Sequence, residues 1–309
     1  MQLDYQLGMM TQICIKTVCY MVISPIFWVT LWFTYRYYIK YEWDKASAGH
    51  IALASSLEGI GAGIFVIWLT TVLGLIIKPG VVLYMMGPVA MMLSLLRPRF
   101  LCLAYGAGVT LVLCTVFHIP VDVFGISGLV AILHLAEGIL VLIFGGQHTV
   151  ITYCRNKGEI EVRRGIYRFW PVPVCLIIAI QVKEVSFLNM PDWWPLLSNA
   201  AVSGGATLGL LPLTVSLGYS DLSGRVMEID KRRVKNAILI ICYAIMLLGL
   251  CLIAEKFSIG KWITIGWMVV GHEIIIFSPN LFIKNYLESD TGCVYNRVKQ
   301  RKIYFFCLN

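Results

Sequence analysis

Nine stretches of this 309-residue chain are apolar over a length that suits a lipid bilayer. They run roughly over 17–35, 51–77, 80–96, 100–119, 124–144, 171–189, 196–219, 236–254 and 259–277. A helix needs about 20 mostly apolar residues to cross the hydrocarbon, where every backbone polar group must find its partner inside the protein. Little chain is left between the runs to build a soluble domain. The composition agrees, with 59% apolar and 14% charged residues, against roughly 45–50% and 25% in soluble domains. The predicted fold class is an all-α membrane protein: a polytopic bundle of about nine (eight to nine) transmembrane helices over residues 1–278, followed by a short basic cytoplasmic tail over 279–309.

Loop charges orient this map. The third run is short, and Lys183 and Glu184 interrupt the sixth after Val172–Ile180. With nine crossings, 20 of the 25 Lys and Arg residues fall on one side and five on the other. Without the sixth, the two richest basic segments, 155–168 and 225–235, would fall on opposite faces. The excess of Lys and Arg marks the cytoplasmic side, so the N-terminus is expected outside and the C-terminus in the cytoplasm, in a multi-pass membrane protein. The net charge of +8 then reads as loops facing anionic lipid headgroups, with the lipid bilayer as partner and no nucleic acid. Trp28, Trp32, Tyr35, Tyr37, Tyr38, Tyr41 and Trp43 toward the inner end of the first helix, and Trp193 and Trp194 in an outer loop, read as interfacial anchors. The ten cysteines contain no C-x-x-C pair and mostly sit in apolar runs, where Cys acts as a small hydrophobe. Gly59/Gly63 and Gly205/Gly209 have G-x-x-x-G spacing, which predicts close helix–helix packing.

Ionisable residues at membrane depth are candidates for function. Glu58, His134 and Glu137 qualify, and His134 and Glu137, three apart, share a helix face. Such a pair can relay protons, hold a metal, or lock helices in register. His272 and Glu273 read Gly-His-Glu-Ile-Ile-Ile. A zinc peptidase helix needs His-Glu-x-x-His, two ligands one turn apart, and position 276 is Ile. No catalytic residue, metal ligand set or cofactor is therefore expected; the chain also lacks G-x-S-x-G, P-loop and dinucleotide fingerprints. Arg97, Arg99, Arg163, Arg164, Arg168, Trp170, Lys231, Arg232 and Arg233 are candidate contacts to lipid or a cytoplasmic partner.

Five phrases follow one another along the chain: Arg97-Pro98-Arg99-Phe100, Leu133-His134-Leu135-Ala136-Glu137-Gly138, Arg168-Phe169-Trp170-Pro171-Val172-Pro173, Gly218-Tyr219-Ser220-Asp221-Leu222 and Gly271-His272-Glu273. Together they resemble the membrane region of the MinJ-like multi-helix PDZ membrane proteins of Gram-positive bacteria, over about residues 18–277. The resemblance implies a non-enzymatic scaffold or adaptor in septum-site placement, with cytoplasmic division or polar scaffold proteins as partners. That family carries a cytoplasmic PDZ domain after the bundle. Here 36 residues follow Glu273, fewer than the roughly 50 of an independent domain, so no PDZ domain is expected and the chain reads as a truncated member. The alternatives are a small-solute or ion transporter using His134, Glu137 and Glu58, and an intramembrane metallopeptidase.

Overall fold

The computed structural model describes residues 15–40, 45–156, 159–180, 207–225, 229–287 and 293–294. In chain order the elements are α1 (Ile15–Ile23), α2 (Pro25–Lys40), α3 (Lys45–Leu73), β1 (Ile76–Ile77), α4 (Val81–Ser94), a 3-10 turn (Pro98–Leu101) and α5 (Leu103–Val116). There follow α6 (Val123–Phe144), β2 (Val150–Asn156), β3 (Glu159–Ile180), β4 (Thr207–Arg225), α7 (Ile229–Lys256), α8 (Ser258–Leu287) and β5 (Cys293–Val294).

Membrane character is carried by four helices long and apolar enough to cross a bilayer: Lys45–Leu73, Val123–Phe144, Ile229–Ala254 and Ile259–Ile276. A fifth crossing exists if α1 and α2, bent by 68° at their junction, count as one. Pro25, lacking an N–H, breaks the helix there. The expectation of nine crossings is corrected among the described residues for two reasons. First, α4 and α5 have 14 residues each, about 21 Å at 1.5 Å per residue, short of the roughly 30 Å hydrocarbon. They fold back on one another, and Gly106 lets α5 approach Met86 and Ala90 of α4 closely. Second, the sixth and seventh runs are not helices where they are described. They form β3 and β4, an antiparallel pair running from Arg163↔Arg225 to Ile180↔Thr207. Tyr41, Trp43, Lys183, Glu184, Trp193, Trp194 and Gly205 lie outside the described residues.

The strands have a physical cause. Trp170, Val172, Val174 and Leu176 join the main core, while Cys175 packs with Val18 and Ile67 in a separate cluster. A strand buried on both faces reads as an unbroken apolar run, which periodicity alone cannot tell from a helix. Prolines decide it. Pro171 and Pro173 would break a helix interior, but in β3 they lie where the edge away from β4 is unpaired. That edge is taken by β2 as far as Gly165 and by β1 at Ile177–Ile178. Between these, the Phe169 N–H donates to the Tyr38 hydroxyl (3.2 Å), and two residues with no N–H leave no donor to satisfy.

Helix α3 closes this gap. A Cβ on Gly59 would collide with the Pro171 carbonyl oxygen, and one on Gly63 with that of Pro173. The G-x-x-x-G spacing thus serves a helix–strand contact rather than a helix–helix one. Glycine Cα–H groups facing carbonyl oxygens are the weak donors that permit such an approach. Gly209, from the second such pair, lies in β4.

The β3–β4 hairpin also changes why the basic segments share one end. Arg163 lies opposite Arg225, so the antiparallel pairing of β3 with β4 brings 155–168 and 225–235 to the same end. The expected tail boundary at 278 falls inside α8, which continues to Leu287, and β5 pairs with β2 at Asn156↔Cys293 and Arg155↔Val294.

The outer faces suit hydrocarbon: Leu57, Met91, Met92, Ile245, Ile259 and Ile263 are exposed. Helix α6 lies at the centre, lined by Leu129, Val130, Ile132, Leu133, Ala136 and Leu140 of the core. The Asp122 side chain caps its N-terminus, accepting from Gly125 N–H (2.9 Å) and Lys78 N–H (2.8 Å).

Candidate metal centre

Three ligand-type side chains meet at mid-bundle. Cys102 precedes α5, His134 lies midway along α6, and His272 lies midway along α8. The Cys102 sulfur and one nitrogen from each imidazole all lie within 4.8 Å of one another. His134 is oriented from behind: its Nδ1–H donates to the Val130 carbonyl at 2.7 Å, since a carbonyl only accepts. That bond fixes the tautomer, leaving the Nε2 lone pair facing Cys102 Sγ at 3.2 Å. A backbone carbonyl holding the second nitrogen is the usual support of a metal-ligating imidazole. Cys102 is held in place as the N-cap of α5, where its sulfur accepts from the Ala104 N–H at 3.4 Å.

Aromatic rings enclose the cluster. Tyr243 of α7 stands edge-on to His134 with ring centres 5.2 Å apart, and Tyr105 stands edge-on to His272 at 4.9 Å. The Tyr243 hydroxyl donates to the Met268 carbonyl (2.8 Å). The Tyr105 hydroxyl donates to Glu273 Oε1 at 2.8 Å, which also faces Arg99 Nη2 at 3.4 Å. Glu137 Oε2 lies 4.0 Å from His134 Nε2. Among the described residues, His272 Nδ1 and Glu273 Oε2 are buried without a hydrogen-bond partner, a costly state unless something else satisfies them.

Of the residues singled out from sequence, His134, Glu137, His272, Glu273 and Arg99 come together here. Cys102, Tyr105 and Tyr243 were missed. The absence of a second His at 276 closed the metal reading too early, because the second imidazole comes from another helix. The position of Cys102 beside the polar Arg97–Arg99 turn, rather than deep in an apolar run, was the available signal.

Glu58 belongs to a different centre. It pairs with Arg168 of β3, and the Trp170 indole Nε1–H donates to the same carboxylate oxygen at 2.5 Å. Arg168 and Trp170 are fully buried, so neither offers a surface to a partner or to lipid, a correction forced by the strand that carries them inward. Arg232 pairs with Asp221 at 3.4 Å. Arg233 donates to the Val141 and Leu142 carbonyls at 2.9 and 2.6 Å, capping the C-terminus of α6. Beside them the Tyr219 hydroxyl receives a hydrogen bond from Asn236 (3.0 Å) and faces Asp221 (3.5 Å); burial, then the Asp221 charge, hold it above its ordinary pKa. Arg97 and Lys231 are exposed. The side chains of Arg163 and Arg164 lie outside the described residues.

No family model, no curated protein and no solved structure matches this chain.

Proposed function

We propose that this chain is an integral membrane protein that holds a transition-metal ion, Zn2+ by the chemistry of its donors, at the centre of its bundle. The observation that carries this is the convergence of Cys102, His134 and His272 from three separate elements within 4.8 Å. Thiolate sulfur and imidazole nitrogen are the donors Zn2+ prefers, and hard cations such as Mg2+ or Ca2+ would demand oxygen instead. The fixed tautomer of His134 and the orphaned Nδ1 of His272 support a cation that accepts what the protein leaves unpaired. Bound there, it would tie α5, α6 and α8 together.

The adaptor role implied by the resemblance has less support from the geometry. Arg168, Trp170, Arg232, Arg233 and Arg99 are engaged within the protein, which leaves Arg97 and Lys231 as the exposed members of that set among the described side chains.

Purified full-length protein in detergent, kept reduced, equilibrated with Zn2+ and desalted, is expected to retain about one ion per chain. A Cys102→Ala, His134→Ala double variant is expected to retain none. Wild-type protein that keeps no zinc, or a double variant that keeps as much as wild type, overturns the reading.

A further inference from the structure

Resting on the metal reading above, we infer that the ion keeps one exchangeable coordination position, on the side of Glu137, that takes water or another small oxygen- or nitrogen-donor ligand. A structural zinc site closes with four protein ligands, whereas a reactive one offers three and leaves the fourth open. Among the described residues, three come together here. Neither neighbouring carboxylate completes the set. Glu273 is drawn away by the Tyr105 hydroxyl and Arg99. Glu137 approaches His134 Nε2 only to 4.0 Å and stands outside the triangle formed by the sulfur and the two imidazoles.

The imidazoles are packed from behind. Tyr105 and Tyr243 stand edge-on against His272 and His134, and the backbone behind His134 is filled by the Val130 carbonyl. Glu137 is 18% and Glu273 24% exposed, and Cys102 and His272 are partly exposed as well; with Glu273 held by Tyr105 and Arg99, the Glu137 side, 4.0 Å from His134 Nε2, is the one left for a fourth ligand. Glu137 is then placed to accept a hydrogen bond from a ligand in the fourth position, not to ligate the ion itself. A cation with an open position among buried donors is a Lewis acid that can polarise water or a carbonyl oxygen.

Cobalt distinguishes this inference from the one it rests on. Full-length protein in lipid nanodiscs is loaded with Co2+, and the thiolate-to-cobalt absorption reports Cys102 ligation. Azide is then added as a probe of the fourth position. Wild type and Glu137→Gln are both expected to show the thiolate band, and in both azide should produce a saturable change in the cobalt ligand-field spectrum. A thiolate band with no azide response in wild type overturns the open position and leaves the metal reading standing. A response gained only in Glu137→Gln identifies Glu137 as the fourth ligand and also overturns it. Absence of the thiolate band in folded wild type removes both readings.

Discussion

Two buried polar centres sit in this bundle, and they are built on opposite rules. At the α3–β3 seam, a carboxylate meets a guanidinium and an indole N–H, so acceptor faces donor. At the α5–α6–α8 junction, a sulfur and two imidazole nitrogens lie within 4.8 Å of one another, all of them metal-ligand atoms, with the Cys102 S–H placed to donate to His134 Nε2 at 3.2 Å. The first centre matches its charges within the protein, though among the described residues Arg168 Nε and Nη1 are buried without a hydrogen-bond partner, and it fixes the position of a strand. The second makes chemical sense with a cation added. The contrast separates a buried group that holds the fold from one that awaits a ligand, although both present as ionisable residues in apolar sequence.

That contrast can be broken by experiment. The largest effect is expected from Arg168→Met, which leaves Glu58 with the Trp170 N–H but without its counter-charge. Loss of one partner of a buried pair costs about 3–5 kcal/mol, to be read as a fall in unfolding temperature in detergent, with zinc content of the folded fraction unchanged. Adding Glu58→Gln should recover much of the loss, because the stranded charge goes too. Gly63→Val tests the seam itself. Its side chain would meet the Pro173 carbonyl, and overpacking of this kind costs about 1–3 kcal/mol; a variant as stable as wild type would show that α3 is not held against the strand.

On the other side, Tyr105→Phe removes the hydroxyl that holds Glu273 beside His272. That hydroxyl bonds Glu273 and not a ligand, so zinc affinity, measured by competition with a zinc chelator, should fall by less than the roughly 10–100-fold lost with a direct partner of a metal ligand. The smallest effect on stability is expected from His272→Leu. The imidazole gives up an orphaned Nδ1, so metal-free stability should change by less than about 1 kcal/mol, although zinc retention is lost. A collapse of the metal-free variant would place His272 with the structural centre instead.

The sequence made some of this legible and not the rest. Helices α3, α6, α7 and α8 follow from apolar length, because lipid demands it wherever a helix crosses. The strands did not, since β3 is buried on both faces and carries no alternation through Trp170–Leu176; Pro171 and Pro173 are the counter-evidence, because proline breaks a helix interior. Glu58 and Arg168 were each noticed, but nothing local joins residues 110 positions apart. His134 and His272 were likewise seen separately. Cys102 was passed over because a cysteine in apolar sequence is more often packing than ligand.

The spacing of the three donors along the polypeptide has a consequence for biogenesis. Cys102 and His134 leave the ribosome well before His272, which trails His134 by 138 residues. Chains emerge N-terminus first at roughly 5–20 residues per second, so the donor set is incomplete until the last long apolar helix has been inserted. An ion captured at that moment would act as a clasp on a finished molecule, and a nascent chain stalled before α8 would have no means of holding it.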